Sequence, residues 1–222
     1  NERFEKKLGR DEIIEFIKDY CYCDNHVGKG IYNYFNEQFK YSKIANEKRL
    51  VIEQYKGEKN YLIFHSLYGR RINDALSRAL GYLMAQKVGR DLEIGISDNG
   101  FYFAGEQLPI DEAMKVLKPE NLREVLEEAI AKTEVLKRRF RHCAARALMI
   151  LRNYKGRAKS VGKQQMNSFF LLNAINKMSK DFPILKEARR EVLEDLMDIG
   201  NAEKVLKSWK DGMVKIEKVQ TK

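Results

Sequence analysis

The chain has 222 residues, 44% of them hydrophobic, and carries a formal net charge of +10 at pH 7. That length buries a core without disulfide or metal staples, as one large domain or two small ones. No apolar run is long enough to span a membrane and no leader of signal-peptide type is visible; the first residue, Asn1, reads as that of a fragment or a processed product.

In chain order, Asp11 to Tyr22 reads as an amphipathic helix with Ile13, Ile14, Phe16 and Ile17 on its apolar side. Asp24 or Asn25 caps a second helix running to about Tyr41. Tyr20, Tyr22, Tyr32, Tyr34 and Tyr41 enrich this pair in aromatics and read as core or interface rather than as base platforms. The period then changes. Arg49 to Tyr55 and Tyr61 to Ser66 read as strands around a turn at Lys56 to Asn60. Ile72 to Val88 is helical, with Ala75, Leu76, Ala79, Leu80 and Leu83 on one face. Leu92, Ile94 and Ile96 alternate, and Asp98-Asn99-Gly100 turns the chain into Phe101-Tyr102-Phe103, a strong hairpin signal. Two hairpins flanking a helix predict an antiparallel sheet backed by helices.

From Pro109 helices dominate. Asp111 to Leu117 is short, and Leu122 to Tyr154 reads as one long helix or two with a break, its stripe running Leu126, Ile130, Leu136, Phe140, Cys143, Ala147, Ile150 and Tyr154. Lys155 to Lys159 reads as a flexible cationic flap. Ser160 caps a helix to about Met178 with Met166, Phe169, Phe170, Leu172 and Ile175 inward. Pro183 opens another, to about Met197, and Asn201 to Trp209 is the last, with Trp209 packing it onto the core. Val214 and Ile216 then alternate with charges, so the tail reads as a strand needing a partner from the sheet. The expectation is therefore an α+β fold: a small antiparallel sheet of about four to five strands packed with helices. A sheet-containing half, about 1–106, precedes a mainly helical half, about 107–222, with a C-terminal strand, the whole forming a single domain.

Chemistry-bearing motifs are missing. There is no phosphate loop, no G-x-G-x-x-G and no H-E-x-x-H. Cys21, Cys23 and Cys143 form no C-x-x-C and read as free thiols of a reducing, cytoplasmic compartment. His26, His65 and His142 lack ligand spacing, so no metal site is expected. Asp195 and Asp198 share a helix face, but a solvated face explains paired carboxylates better. No catalytic residue is assigned.

Charge placement says more. No Asp or Glu occurs between Val135 and Lys180, and twelve of the 42 basic residues fall there, leaving 30 elsewhere against 32 acids. A field concentrated this way attracts polyanions. Arg139, His142 and Arg146 follow helical spacing and form one stripe, which Arg138 and Arg141 broaden. Arg152, Lys155, Arg157 and Lys159 continue it, and Lys163, Gln164 and Asn167 add donors from the next helix. The competing reading is that acids at Glu120 to Glu134 and Glu187 to Asp198 neutralise much of the patch. A second anion candidate is the strand-to-helix junction His65 to Asn73, with Arg70 and Arg71 at a helix start; an ordinary turn, with Ser66 near the cap and Gly69 at the bend, is the alternative.

Five ordered segments resemble one family: YLIFHSLYGRRINDAL (Tyr61 to Leu76), DLEIGISDNGFYF (Asp91 to Phe103), RRFRHCAARALMIL (Arg138 to Leu151), VGKQQMNSFFLL (Val161 to Leu172) and FPILKEARREVLEDLMD (Phe182 to Asp198). Together they resemble the DEAD/H-associated accessory region of the Lhr-type superfamily 2 helicases, over most of the chain. The resemblance implies a part of an ATP-dependent 3′-to-5′ DNA helicase linked to DNA repair. Motor and winged-helix domains of the same polypeptide are the expected neighbours, and single-stranded DNA is the expected nucleic-acid partner. ATP and magnesium would belong to the motor lobes, so no cofactor is expected in this chain. The site residues above rest on charge and spacing, not on the family. A rival reading makes the module a brace that docks on the motor lobes. Base excision or nuclease action finds no acid or metal cluster.

Overall fold

The computed structural model describes residues 4, 6, 8–179 and 181–221, the side chains of residues 41, 154 and 221 excepted. Two antiparallel helices come first, α1 (Arg10–Cys21) and α2 (Asn25–Tyr41). Asp24 caps α2, its carboxylate accepting from the Val27 N–H at 2.8 Å. Ile13, Ile14 and Ile17 are buried, while Phe16 is partly open and Tyr20, Tyr22 and Tyr34 stand in solvent. These three tyrosines are therefore not core, one of the two roles that their spacing predicts.

A five-stranded sheet follows, built from β1 (Arg49–Lys56), β2 (Asn60–His65), β3 (Glu93–Ser97), β4 (Gly100–Gly105) and β7 (Lys215–Thr221) in the order β3-β4-β2-β1-β7. Both hairpins form where expected, and β2 joins β4 antiparallel. The C-terminal strand finds its partner in β1, but in parallel, so the sheet is mixed rather than wholly antiparallel. A parallel neighbour needs a long crossover, and the whole helical half of the chain provides it. At the β3–β4 turn neither Asp98 nor Asn99 has positive φ. Gly100 is required for a different reason: a Cβ there would lie 2.1 Å from the Phe64 carbonyl oxygen on the neighbouring strand.

Helix α3 (Arg70–Val88) crosses one face of the sheet. It comes so close that a Cβ on Gly81 would lie 2.6 Å from the tip of Ile94 and 3.2 Å from the Phe103 ring. Leu50, Ile52, Leu62, Phe64, Phe101 and Phe103 from the sheet meet Leu76, Ala79, Leu80 and Met84 in one continuous core. Phe64 stacks on Phe101 at 4.5 Å. Each of the large apolar side chains among them contributes roughly 1.5–3 kcal/mol on burial.

The other side of α3 carries α4 (Ile110–Val116), α5 (Leu122–Ile130) and α9 (Ile199–Lys210). Trp209 is buried on α9 and donates to the Tyr68 hydroxyl at 3.2 Å, closing the helix onto the core as its sequence context suggests. Beyond α5 lie α6 (Glu134–Arg146), a two-residue-per-strand hairpin of β5 (Asn153–Tyr154) and β6 (Arg157–Ala158), α7 (Val161–Met178), α8 (Pro183–Arg190) and a wide π-helical turn, Glu191–Leu196.

Three expectations change here. The long helical stretch takes the broken of its two expected forms, with the Thr133 hydroxyl capping α6, but helix ends at Arg146 rather than at Tyr154. Leu148, at φ 58, bends the chain away, so Ala147 is exposed although Ile150 still reaches the core. The flap is a short hairpin with Lys155 and Gly156 in the left-handed region. Finally, α7 buries only Ser168, Leu172 and Ile175, while Met166, Phe169 and Phe170, expected inward, are exposed. Helix α7 packs chiefly on α6, and one neighbour covers only a narrow stripe.

Candidate nucleic-acid interface

The acid-free stretch folds into one contiguous unit, α6, the β5–β6 hairpin and α7. Its guanidiniums divide into two groups. Arg139 and Arg146, two members of the predicted stripe, both turn onto the Glu191 carboxylate of the π turn; Arg139 lies 3.6 Å from it and Arg146 donates to it directly. Glu191 is buried. A carboxylate in such a place needs counter-charges, and here two arginines share one acid, leaving the trio a single net positive charge. Arg138 and Arg141 behave differently. Neither has an ion-pair partner among the described residues, and they line a groove of about 370 Å³ between α6 and α7.

His142 reports on this field. Its imidazole is held below the ordinary histidine range, first by burial, then by the positive charges of Arg141, Arg139, Arg152 and Arg138. Arg152 is exposed beyond the end of α6 and Arg157 is exposed on the hairpin, both without a carboxylate partner among the described residues. Lys155 sits at the hairpin tip and Lys159 just after it, where the Lys159 N–H donates to the Arg152 carbonyl at 2.8 Å and closes the base. Lys163 and Asn167 are exposed on α7. Gln164 is used internally instead, its amide donating to the Lys159 carbonyl at 2.9 Å and fixing the hairpin to α7.

The second candidate, the strand-to-helix junction, is built on a buried hydrogen-bond network, with Arg70 and Arg71 exposed at its surface. Gly69, at φ 84, is the N-cap of α3, not Ser66. Ser66 gives its hydroxyl to Asn73 at 2.8 Å, and the buried Asn73 amide donates to the carbonyls of Ser66, Ser97 and Asp98, each at 3.1 Å. The junction thus ties the sheet to the helix. Arg71 donates to the Glu194 carbonyl at 2.9 Å and Arg70 to that of Ile96 at 3.4 Å, so both are directed at backbone and lie outside the α6–α7 groove. Asp195 pairs with Arg190, and Asp198 caps α9. Among the described residues no cluster of three metal-ligating side chains exists, and no helix is long and apolar enough to cross a membrane. The cysteines are free thiols.

Two residues of the groove escaped sequence reasoning. Gln165 and Phe169 line it opposite Arg138 and Arg141. The available signal was the excess of apolar residues on α7: Met166, Phe169, Phe170, Leu171, Leu172 and Ile175 cover a wider arc than one packing face can hide.

Residues 44–222 match the family described as DEAD/H associated. The chain is 48% identical over 223 residues to an "ATP-dependent helicase Lhr-Core" of Methanothermobacter thermautotrophicus, covering 99% of this chain and 26% of that protein. It is 40% identical over 226 residues to the protein of the same name from Saccharolobus solfataricus, covering 97% and 26%. The structure of Mycobacterium smegmatis helicase Lhr bound to ssDNA and AMP-PNP superposes with a TM-score of 0.82 over 96% of this chain and 28% of that one, at 24% identity, a likeness of fold. The chain spans about a quarter of the length of these relatives. With the family match covering most of its length and the sheet, helices and crossover strand all in place, the chain belongs to the DEAD/H-associated family and is an Lhr-type domain.

Proposed function

We propose that this chain is a strand-gripping accessory domain of an ATP-dependent Lhr-type helicase, working on DNA, in repair, in the cytoplasm. It would act as one accessory unit over residues 1–222. The ATP- and magnesium-binding motor lobes and the winged helix would be supplied by other parts of the same polypeptide. The chain itself would perform no catalytic step: its contribution is to hold the phosphates of the tracking single strand with fixed cations.

The observation that carries this reading is the unpaired half of the basic unit. Arg138, Arg141, Arg152, Arg157 and Lys163 have no carboxylate partner among the described residues and lie on consecutive elements of one acid-free segment. Arg139 and Arg146 add their surplus charge. If about six phosphates of a single strand are neutralised, log K falls with log salt at a slope of about −4. A salt series of filter binding with an oligothymidylate tests this, and a flat dependence removes the claim.

A second reading is favoured by the exposed apolar residues of α7. Met166 and Phe170 recur at i and i+4 on one face of α7, and Met178, Leu148 and Met149 are also exposed. Such a stripe suits docking on another domain of the same polypeptide. A chain that captures the motor fragment in a pull-down but binds no strand would establish the brace and exclude the grip.

A further inference from the structure

We infer that the groove between α6 and α7 is a base-stacking subsite, with Phe169 as its platform and Arg138 and Arg141 as its phosphate-facing rim. This rests on the strand-gripping reading and adds to it: the domain would hold bases as well as phosphates.

The geometry begins with the narrow contact of α7. Ser168, Leu172 and Ile175 are its buried positions. Phe169 stands one residue round the helix from that stripe and remains 50% exposed. Its neighbour Phe170, 62% exposed, meets it edge-on with ring centres 5.9 Å apart. An aromatic side chain left half in water forgoes a large part of its burial energy. Here it faces two guanidiniums across a cleft of about 370 Å³, within the size range of sites that admit a small flat group.

The chemistry of the walls selects the occupant. Lys137, Arg138 and Arg141 line one side, and the amide of Gln165 lies on the other beside Phe169. The one carboxylate at the groove, Glu134, is bonded to Lys137 at 2.7 Å. A purely apolar partner would leave Arg138 and Arg141 facing it without counter-charge. A free anion would make no use of the ring. A nucleotide within a strand satisfies both, since every base has a π face for Phe169 and every phosphate a charge for the arginines. Gln165 can donate to or accept from a base edge. Stacking of this kind is indifferent to sequence, as a translocating strand requires.

The test compares an oligothymidylate with an abasic strand of equal length and equal phosphate number, at one salt concentration and across a salt series. The chain is expected to bind the base-bearing strand about five-fold or more tightly, with the same salt slope for both. Phe169→Ala is expected to abolish that ratio while leaving the slope unchanged, and Phe169→Trp to restore it. Phe170→Ala, at a ring that touches Phe169 but does not line the groove, is expected to leave the ratio intact. Circular dichroism checks that the variants keep their helix content, as half-exposed positions should. Equal binding of the two strands by the unaltered chain, or a ratio that persists in Phe169→Ala, overturns the subsite while leaving the phosphate grip standing. No binding of either strand removes both.

Discussion

His142 stands among four arginines, and its behaviour should reveal whether they are free to meet a polyanion. Burial and the charges of Arg141, Arg139, Arg152 and Arg138 keep it neutral to lower pH than an ordinary histidine. In the folded chain the proton is refused, whereas the unfolded chain accepts it near the usual value. Stability therefore falls as pH drops through the ordinary histidine range, and the penalty is complete once pH passes below the depressed folded value. A bound strand would cancel part of the arginine field, so the imidazole should regain basicity. In an NMR titration His142 should protonate below the ordinary histidine range in the free chain and at higher pH once oligothymidylate is added. A titration indifferent to the strand would place the DNA elsewhere. The sequence made this field legible through its missing acids. It did not reveal which arginines stay open, because Glu191 lies 45 residues beyond Arg146 and only the packing of α6 on α8 and the π turn unites them.

At the scale of elements, helix starts were easiest to read, since Asp24, Ser160 and Pro183 announce them by chemistry that acts over three or four residues. The end of α6 was not. The apolar period continues through Ala147, Ile150 and Tyr154, and the residue that turns the chain is Leu148 rather than a glycine. Nor was the π turn, which places Glu191 in the interior between Arg139 and Arg146. That placement makes Glu191 both a staple and a brake on the basic surface. Glu191→Gln keeps the shape and removes the charge. Stability in urea should fall by about 1–3 kcal/mol, as two guanidiniums lose their buried counter-charge and keep only a neutral amide acceptor. Strand binding at fixed salt should strengthen, with the salt slope steeper by roughly 0.7 for each further phosphate engaged. Unchanged binding would mean that Arg139 and Arg146 serve only to fix α6 to its neighbours.

The whole molecule is closed by its last strand. β7 returns after the entire helical half to lie parallel to β1, pairing Arg49 with Lys215 and Val51 with Glu217. The alternation of the tail showed that it wanted a sheet. Its direction and edge were set by where α9 leaves the chain, which no local pattern encodes. Glu217 locks this closure: its nearly buried carboxylate meets Lys43 at 2.8 Å, Lys215 at 2.9 Å and Arg49 at 3.6 Å. Hydrogen bonds from Lys43 and Lys215 hold its pKa down to about 2. A depressed carboxylate stabilises the fold above its unfolded value, 4.5, and that contribution is lost as pH falls from there towards 2. Glu217→Gln should cost about 1–3 kcal/mol at neutral pH, since it leaves three cations around a neutral amide. Urea denaturation of both proteins from pH 7 to pH 2 should show the gap constant above about pH 5 and closing below it. The hydrogen exchange of β7 and β1 amides should rise together in the variant, because each protects the other. A gap that stays constant down to pH 2 would show that the three cations do not stabilise the ionised carboxylate, and that backbone pairing alone holds the crossover strand in place.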